Sequence, residues 1–196
     1  MDQSPTVGAT LMTAIDAHKR HKDYLTPPEV GLLLEAAKRS RNGARDHILL
    51  MMMYRHGLRV SEACGMRRDS VDLKQSRVWV GRLKNGNDSE QPMTGDELRA
   101  VKRYLETRDD HLPWLFVSQR MQPLDRTSVS AIVRSAGNRA GLGHVWPHML
   151  RHSCGFALAN KGMDSRLIQD YLGHKDANMT ARYTRTAAKR FEGLWS

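Results

Sequence analysis

Between Pro147 and Thr184 the chain reads PHMLRHSCGFALANKGMDSRLIQDYLGHKDANMTARYT. His148 and Arg151 stand three positions apart, so on a helix they share a face and can converge on one ligand. The planar guanidinium offers fixed donors that suit a phosphate. Leu172-Gly173-His174 adds a second imidazole, and Tyr183 follows nine residues after it. A cation, two imidazoles and a phenol in that order suggest a phosphodiester site with a tyrosine nucleophile. Such a site would cut and rejoin DNA through a covalent protein–DNA link. A lone H-x-x-R is more often a surface pair, so the rest of the chain has to carry the reading.

A zinc site is the competing use of these histidines, because His148 and His152 are spaced i, i+4. A metallohydrolase motif would put Glu directly after the first His, where this chain has Met149. No carboxylate or cysteine is arranged to complete a ligand set, and Arg151 would repel the ion. Neither a metal nor any other cofactor is expected.

Lys plus Arg is 31 against 21 for Asp plus Glu, a formal net charge of +10. That excess favours a polyanionic partner, nucleic acid before membrane, although a merely basic protein would share it. No apolar run reaches the roughly 18–20 residues of a membrane span, and the N-terminus lacks an apolar signal core. Cys64 and Cys154 have no metal-like spacing and fit a reducing compartment as two buried small residues. The expected location is the cytoplasm, with the nucleoid.

These residues need a scaffold. Residues 1–23 read as a basic arm ending in His18-Lys19-Arg20-His21-Lys22. Thr26-Pro27-Pro28-Glu29 is a helix start, with Val30, Leu33, Leu34 and Ala37 as its buried face. Ala44 to His56 is apolar nearly all round and predicts a central helix, its methionines filling the core. Gly57 breaks it, and Arg59-Val60-Ser61-Glu62-Ala63 starts a short helix. Val78, Val80 and Leu83 approximate period-two alternation around Trp79 and Arg82, and Asn85-Gly86-Asn87-Asp88 is turn chemistry, so a small antiparallel sheet lies between Asp72 and Met93. Thr94 caps a helix to about Arg108. Leu115-Phe116-Val117 is a short buried segment read as a strand. Helices follow from Asp125 to Ala140, His148 to Lys161, Asp164 to Tyr171 (ended by Gly173), Met179 to Tyr183 and Ala187 to Leu194. The fold class is mainly α with a small antiparallel β-sheet.

The set Arg59, Lys84, His148-x-x-Arg151, His174 and Tyr183 resembles the tyrosine recombinase, or phage integrase, family. The local contexts match too: Gly57-Leu58-Arg59-Val60-Ser61-Glu62, the Lys84 hairpin, Leu150-Arg151-His152-Ser153, Leu172-Gly173-His174 and Thr180-x-x-Tyr183-Thr184. The match runs from about Thr26 to Trp195. Each motif is weak alone; their joint order and spacing are specific. The short length, Leu83-Lys84-Asn85-Gly86 and the terminal Gly193-Leu194-Trp195 most resemble recombinases that invert fimbrial promoter segments in enteric bacteria.

The resemblance implies a role for each residue. Arg59 and Arg151 would stabilise charge on the nonbridging oxygens. Tyr183 would attack phosphorus to give a 3′-phosphotyrosine, conserving the bond energy without ATP or metal. His148 would take its proton, Lys84 would protonate the leaving 5′-oxygen, and His174 would donate to the phosphate. Glu62 would position Arg59. Tyr24, Tyr54, Tyr104 and Tyr171 read as packing residues, whereas Tyr183 follows a polar connector, Lys175 to Asn178, that could move it. Arg82, Arg126, Arg134, Arg139 and Arg182 are candidates to hold the DNA backbone, which positions a duplex without reading it. Phe191, Leu194 and Trp195 would pack either on a neighbouring subunit or on their own core.

Residues 24–196 are expected to form the catalytic domain, without the separate DNA-binding domain that most of the family carries ahead of it. Expected partners are duplex DNA with inverted-repeat sites, further copies of the chain (a dimer on a site, a tetramer in synapsis) and accessory DNA-bending proteins, but no membrane. The leading expectation is a promoter invertase. An integrase or excisionase of a mobile element, a non-recombining DNA-binding regulator and a type IB topoisomerase-like enzyme stand as alternatives.

Overall fold

The computed structural model describes residues 23–82, 86–185 and 192. The basic arm (apart from Asp23), Lys84 and all but one residue of the helix expected from Ala187 to Leu194 lie outside them. Helix α1 (Pro27–Lys38) begins where Thr precedes two prolines, and Glu29 accepts from the Thr26 backbone N–H at 2.8 Å and from its hydroxyl at 2.7 Å. Helix α2 (Gly43–Arg55) is buried from Arg45 through Met53, as its all-round apolar pattern requires. Its two charged buried residues satisfy each other, with Arg45 2.8 Å from Asp46.

Around α2 pack α1, α4 (Gly95–Glu106) and α6 (Pro147–Asn160); α5 (Arg126–Arg139) lies against α1 and against the short α3 (Val60–Gly65). Leu33, Leu49, Leu50, Met52, Met53, Leu58 and Leu150 are wholly buried among them, each worth roughly 1.5–3 kcal/mol of apolar burial. Among the described residues one sheet forms, in the order β1 (Val71–Asp72), β2 (Arg77–Val80), β3 (Ser89–Pro92), antiparallel throughout. Val78 stands opposite Gln91 and Trp79 opposite Glu90. Val78 and Val80 enter the core and Trp79 faces out, as the alternation dictates.

Helices α7 (Ser165–Leu172) and α8 (Ala177–Arg185) pack on each other and on α6. They enclose a second, smaller core of Cys154, Ala159, Ile168, Leu172 and Tyr183. Asp164 caps α7 by accepting from the N–H groups of Arg166 and Leu167, and Gly173 ends it in the left-handed region. Cys154 is buried and Cys64 half-buried, both as free thiols. No helix among the described residues is long and apolar enough to cross a membrane.

Two expectations shift. Leu115-Phe116-Val117 is buried, but it is no strand; isolated bridges join Arg67 to Trp114 and Val117 to Pro123. Side chains meet two of the segment's carbonyls, Leu115's from Arg108 at 2.8 Å and Val117's from Arg45 at 3.0 Å, where a ladder would supply backbone donors. The last described helix starts at Ala177, two residues before the expected Met179, so Ala177 and Asn178 of the polar connector belong to the helix.

Gly57, just past α2, has φ +57°, and a Cβ there would stand 2.4 Å from Leu172 Cδ2. Backbone conformation and space both require glycine at this junction of the two cores. Gly57→Ala should therefore lose about 2 kcal/mol or more of unfolding free energy, combining left-handed strain with overpacking. Urea denaturation measures it; an unchanged midpoint would show that the junction yields freely.

Candidate active site

Arg59 occupies the N-cap of α3, and Glu62, three residues on, turns back to it. The Arg59 backbone N–H donates to Glu62 Oε2 at 2.8 Å and its Nη1 donates to Oε1 at 2.7 Å. The Arg59 side chain keeps 28% exposure while that of Glu62 has 1%. A buried carboxylate thus anchors a guanidinium whose outer side remains accessible. The backbone hydrogen bond and the two arginines outweigh desolvation and hold the Glu62 carboxyl below its ordinary range.

The second arginine on Glu62 corrects an expectation. Arg82, expected on the DNA backbone, has a fully buried side chain, with Nη1 2.8 Å from Glu62 Oε2. It also donates to the carbonyls of His56 at 2.9 Å, Gly57 at 3.3 Å and Tyr171 at 2.7 Å. These are carbonyls left open at the ends of α2 and α7, and a guanidinium is a favourable partner there. Arg82 is therefore a structural tie between both cores and the Arg59–Glu62 pair.

Arg151 projects from α6 to the same place. Its Nη1 donates to the Gly57 carbonyl and its Nη2 to the Leu172 carbonyl at 2.6 Å. Burial, then the charges of Arg59 and Arg82, lower its pKa to about 10, which leaves it protonated at neutral pH. The turn at Gly173 presents His174, whose Nδ1 lies 2.8 Å from the Thr180 hydroxyl on α8. Burial and the same three arginines push His174 down to about 3, so its ring is neutral. His148, near the start of α6, is exposed and lowered by burial of its ring, Arg151 and Arg59.

Tyr183 lies on α8 and is only 1% exposed. Phe156 meets its ring edge-on with centroids 5.2 Å apart, and His174 stacks at 6.2 Å. Gly155 supplies the floor: a Cβ there would be 2.7 Å from the ring. The hydroxyl pairs with His152 Nδ1 at 2.8 Å rather than with His148. Burial raises the Tyr183 pKa above its ordinary value.

The six expected catalytic residues are thus brought together as far as they are described; Lys84 lies outside the described residues. Its neighbour Gly86 rests against Gly173, where a Cβ would come within 3.0 Å of the carbonyl oxygen. Of the remaining cations, Arg126 lines an open groove of about 540 Å³ with Arg59, Ser130, Trp146 and His148. Arg134 is exposed. Arg139 is exposed too, but its Nε donates to the Ala36 carbonyl at 3.1 Å, which ties α5 to α1. Arg182 is exposed and ion-paired with Asp23. Among the described residues no group of three His, Cys, Asp or Glu side chains is placed to hold a metal ion.

Sequence reasoning weighed His152 as a zinc ligand and otherwise quoted it and Thr180 only as motif context, with no role for either, and it missed Gly155. The signal for His152 was present in its position one turn beyond His148. Nothing in the sequence paired His152 with Tyr183, 31 positions away.

Comparison with known proteins agrees with this geometry. The model of the phage integrase family matches residues 23–190. The type 1 fimbriae regulatory protein FimB of Escherichia coli K12 is 41% identical over 184 residues, covering 91% of this chain and 92% of FimB. FimE of the same strain is 43% identical over 178 residues, covering 88% and 90%. The tyrosine recombinase XerA of Pyrococcus horikoshii is 36% identical over 168 residues, 84% of this chain and 57% of XerA. A crystal structure of XerA recombinase matches with a TM-score of 0.74 at 32% identity, over 82% of this chain and 59% of that one. The fold of XerH, solved in a pre-cleavage complex with its difH substrate, also matches, with a TM-score of 0.71 at 23% identity. In sequence, in fold and in the arginine and histidine residues gathered around a buried tyrosine, the chain belongs to the phage integrase family of tyrosine recombinases.

Proposed function

We propose that the chain is a site-specific DNA recombinase that inverts a DNA segment and so switches expression of a fimbrial or other surface structure. One observation carries the chemistry: Arg59 at the start of α3, His148 and Arg151 on α6, His174 after α7 and Tyr183 on α8 bear on one another's charge. The similarity to FimB and FimE, which extends over about nine-tenths of each chain, supports inversion over integration. Duplex DNA with inverted repeats is the substrate, held by several copies of the chain, with Arg126, Arg134 and Arg182 along its backbone.

In this reading the Tyr183 oxygen attacks the scissile phosphorus, a P–O bond to tyrosine forms, and the bond to the 5′-oxygen breaks. The tyrosine proton passes to His148, whose pKa is lowered by partial desolvation and by the charges of Arg151 and Arg59. Lys84 returns a proton to the 5′-oxygen. Arg59, Arg151 and His174 stabilise the charge that develops on the nonbridging oxygens. Religation reverses these steps, so no energy source is consumed.

A nicked suicide duplex carrying the inverted repeats tests the proposal. Wild type should yield a covalent adduct on denaturing gels, and Tyr183→Phe should bind the duplex without forming one. Tight binding with no wild-type adduct would leave a DNA-binding regulator as the better reading. Arg59→Ala is a cleaner cation test than Arg151→Ala, since Arg151 also braces Gly57 and Leu172. Arg59→Ala should keep duplex binding within about tenfold while cleavage falls about a hundredfold or more. Comparable losses of both would mean that Arg59 chiefly binds.

Gly155→Ala tests the seat of the nucleophile. Alanine gains about 1 kcal/mol of helix propensity over glycine, but its methyl group displaces the Tyr183 ring. Cleavage should drop about tenfold or more while duplex binding and the main core are preserved; unchanged cleavage would show that the ring does not need this floor.

A further inference from the structure

The cleavage chemistry proposed above assigns the nucleophile's proton to His148, yet the hydroxyl of Tyr183 is hydrogen-bonded to a different histidine. His152 lies one helical turn beyond His148 on α6, and the two rings meet edge-to-face with centroids 4.4 Å apart. His148 faces the open groove; His152 is 8% exposed and faces the small core. A phenol that is 1% exposed requires a partner for its O–H, and His152 Nδ1 is that partner at 2.8 Å.

The direction of the bond follows from the surroundings. A phenol at neutral pH carries its proton, all the more when burial raises its pKa, so the hydroxyl donates and Nδ1 accepts. The ring proton is then on Nε2, the atom that comes within 4.0 Å of the Asp23 carboxylate. His148 and Arg182 also face this ring, and together with burial they hold His152 down to about 4, so Nδ1 is free to accept. Phe156, His174 and the Gly155 floor fix the plane of the Tyr183 ring, but they leave the hydroxyl free to turn about its C–O bond. His152 removes that freedom.

We infer that His152 is a positioning residue for the nucleophile: its Nδ1 accepts the Tyr183 hydroxyl and sets the direction of the phenolic oxygen's lone pairs for attack. This rests on the recombinase reading, in which Tyr183 attacks the phosphate. His152 acts through Tyr183 and touches neither DNA nor the reacting phosphorus. Holding the attacking atom in a near-attack geometry lowers the barrier to the chemical step without changing duplex affinity. The phenol has one proton, so its transfer to His148 requires the hydroxyl to leave His152 Nδ1 as attack begins.

Asparagine and leucine have nearly the same shape, and the amide of asparagine can put a polar atom where Nδ1 stands. Single-turnover cleavage of a suicide duplex by wild type, His152→Asn and His152→Leu therefore isolates the hydrogen bond at constant volume. His152→Asn should cleave within about tenfold of wild type and at least about tenfold faster than His152→Leu, the scale of one hydrogen bond on a barrier. Duplex binding should be equal for all three. Should His152→Leu fail to fold by circular dichroism, His152→Gln replaces it, since its polar atoms reach past the Nδ1 position; His152→Asn must still cleave faster. Equal cleavage by the asparagine variant and its comparison variant would overturn the inference while the recombinase reading stands. Absence of a wild-type adduct would instead defeat the recombinase reading itself.

Discussion

Three guanidinium groups share one buried carboxylate and one glycine carbonyl, and the rest of the molecule is arranged to tolerate that. Glu62 accepts from Arg59 and Arg82; the Gly57 carbonyl accepts from Arg82 and Arg151. Burying cations costs several kcal/mol apiece unless each finds partners, and here helix-end carbonyls supply most of them. The depression of the Arg151 pKa to about 10 reflects both its burial and the repulsion of its neighbours. One carboxylate does not neutralise three arginines. The remaining positive charge is oriented before any ligand arrives, and preorganised charge is what a developing phosphorane-like oxyanion needs.

The same ties join the two cores. Arg82, just past β2, and Arg151, on α6, reach the ends of α2 and α7, so the main core and the small core meet through polar groups rather than through apolar packing alone. Tyr183 belongs to the small core. Its ring is packed against Phe156, His174 and Gly155, so the residue expected to be the most mobile of the set is held on three sides. Packing couples the elements there: whatever loosens α7 and α8 also moves the Tyr183 ring.

Local signals in the sequence were reliable because local physics decides them. Thr26 before two prolines, Asp125, Asp164 and Gly173 mark helix ends that the structure reproduces within a residue or two, and alternation at Val78 and Val80 gives the sheet. Long-range partners were not legible. A run such as Val80-Gly81-Arg82-Leu83-Lys84 reads as a basic hairpin, and nothing within it says that Arg82 turns inward to carbonyls from two other elements. The Leu115 segment failed for the same reason, since Arg108 and Arg45, both outside the segment, take the Leu115 and Val117 carbonyls. His152 is the clearest case: spacing alone made it a metal candidate, whereas its partner is a phenol on α8, a whole helix later in the sequence.

The central claim is that the arginine cluster acts on charge at the scissile phosphate. Replacing that one phosphate by a neutral methylphosphonate removes the charge while keeping the rest of the duplex, so cleavage rates of wild type and Arg59→Ala on both duplexes form a closed cycle. The claim predicts that the large Arg59→Ala defect on the phosphate duplex shrinks to a few-fold on the methylphosphonate duplex. A defect of equal size on both would contradict it, and would mean that Arg59 serves the fold or the binding of the duplex rather than the reacting charge.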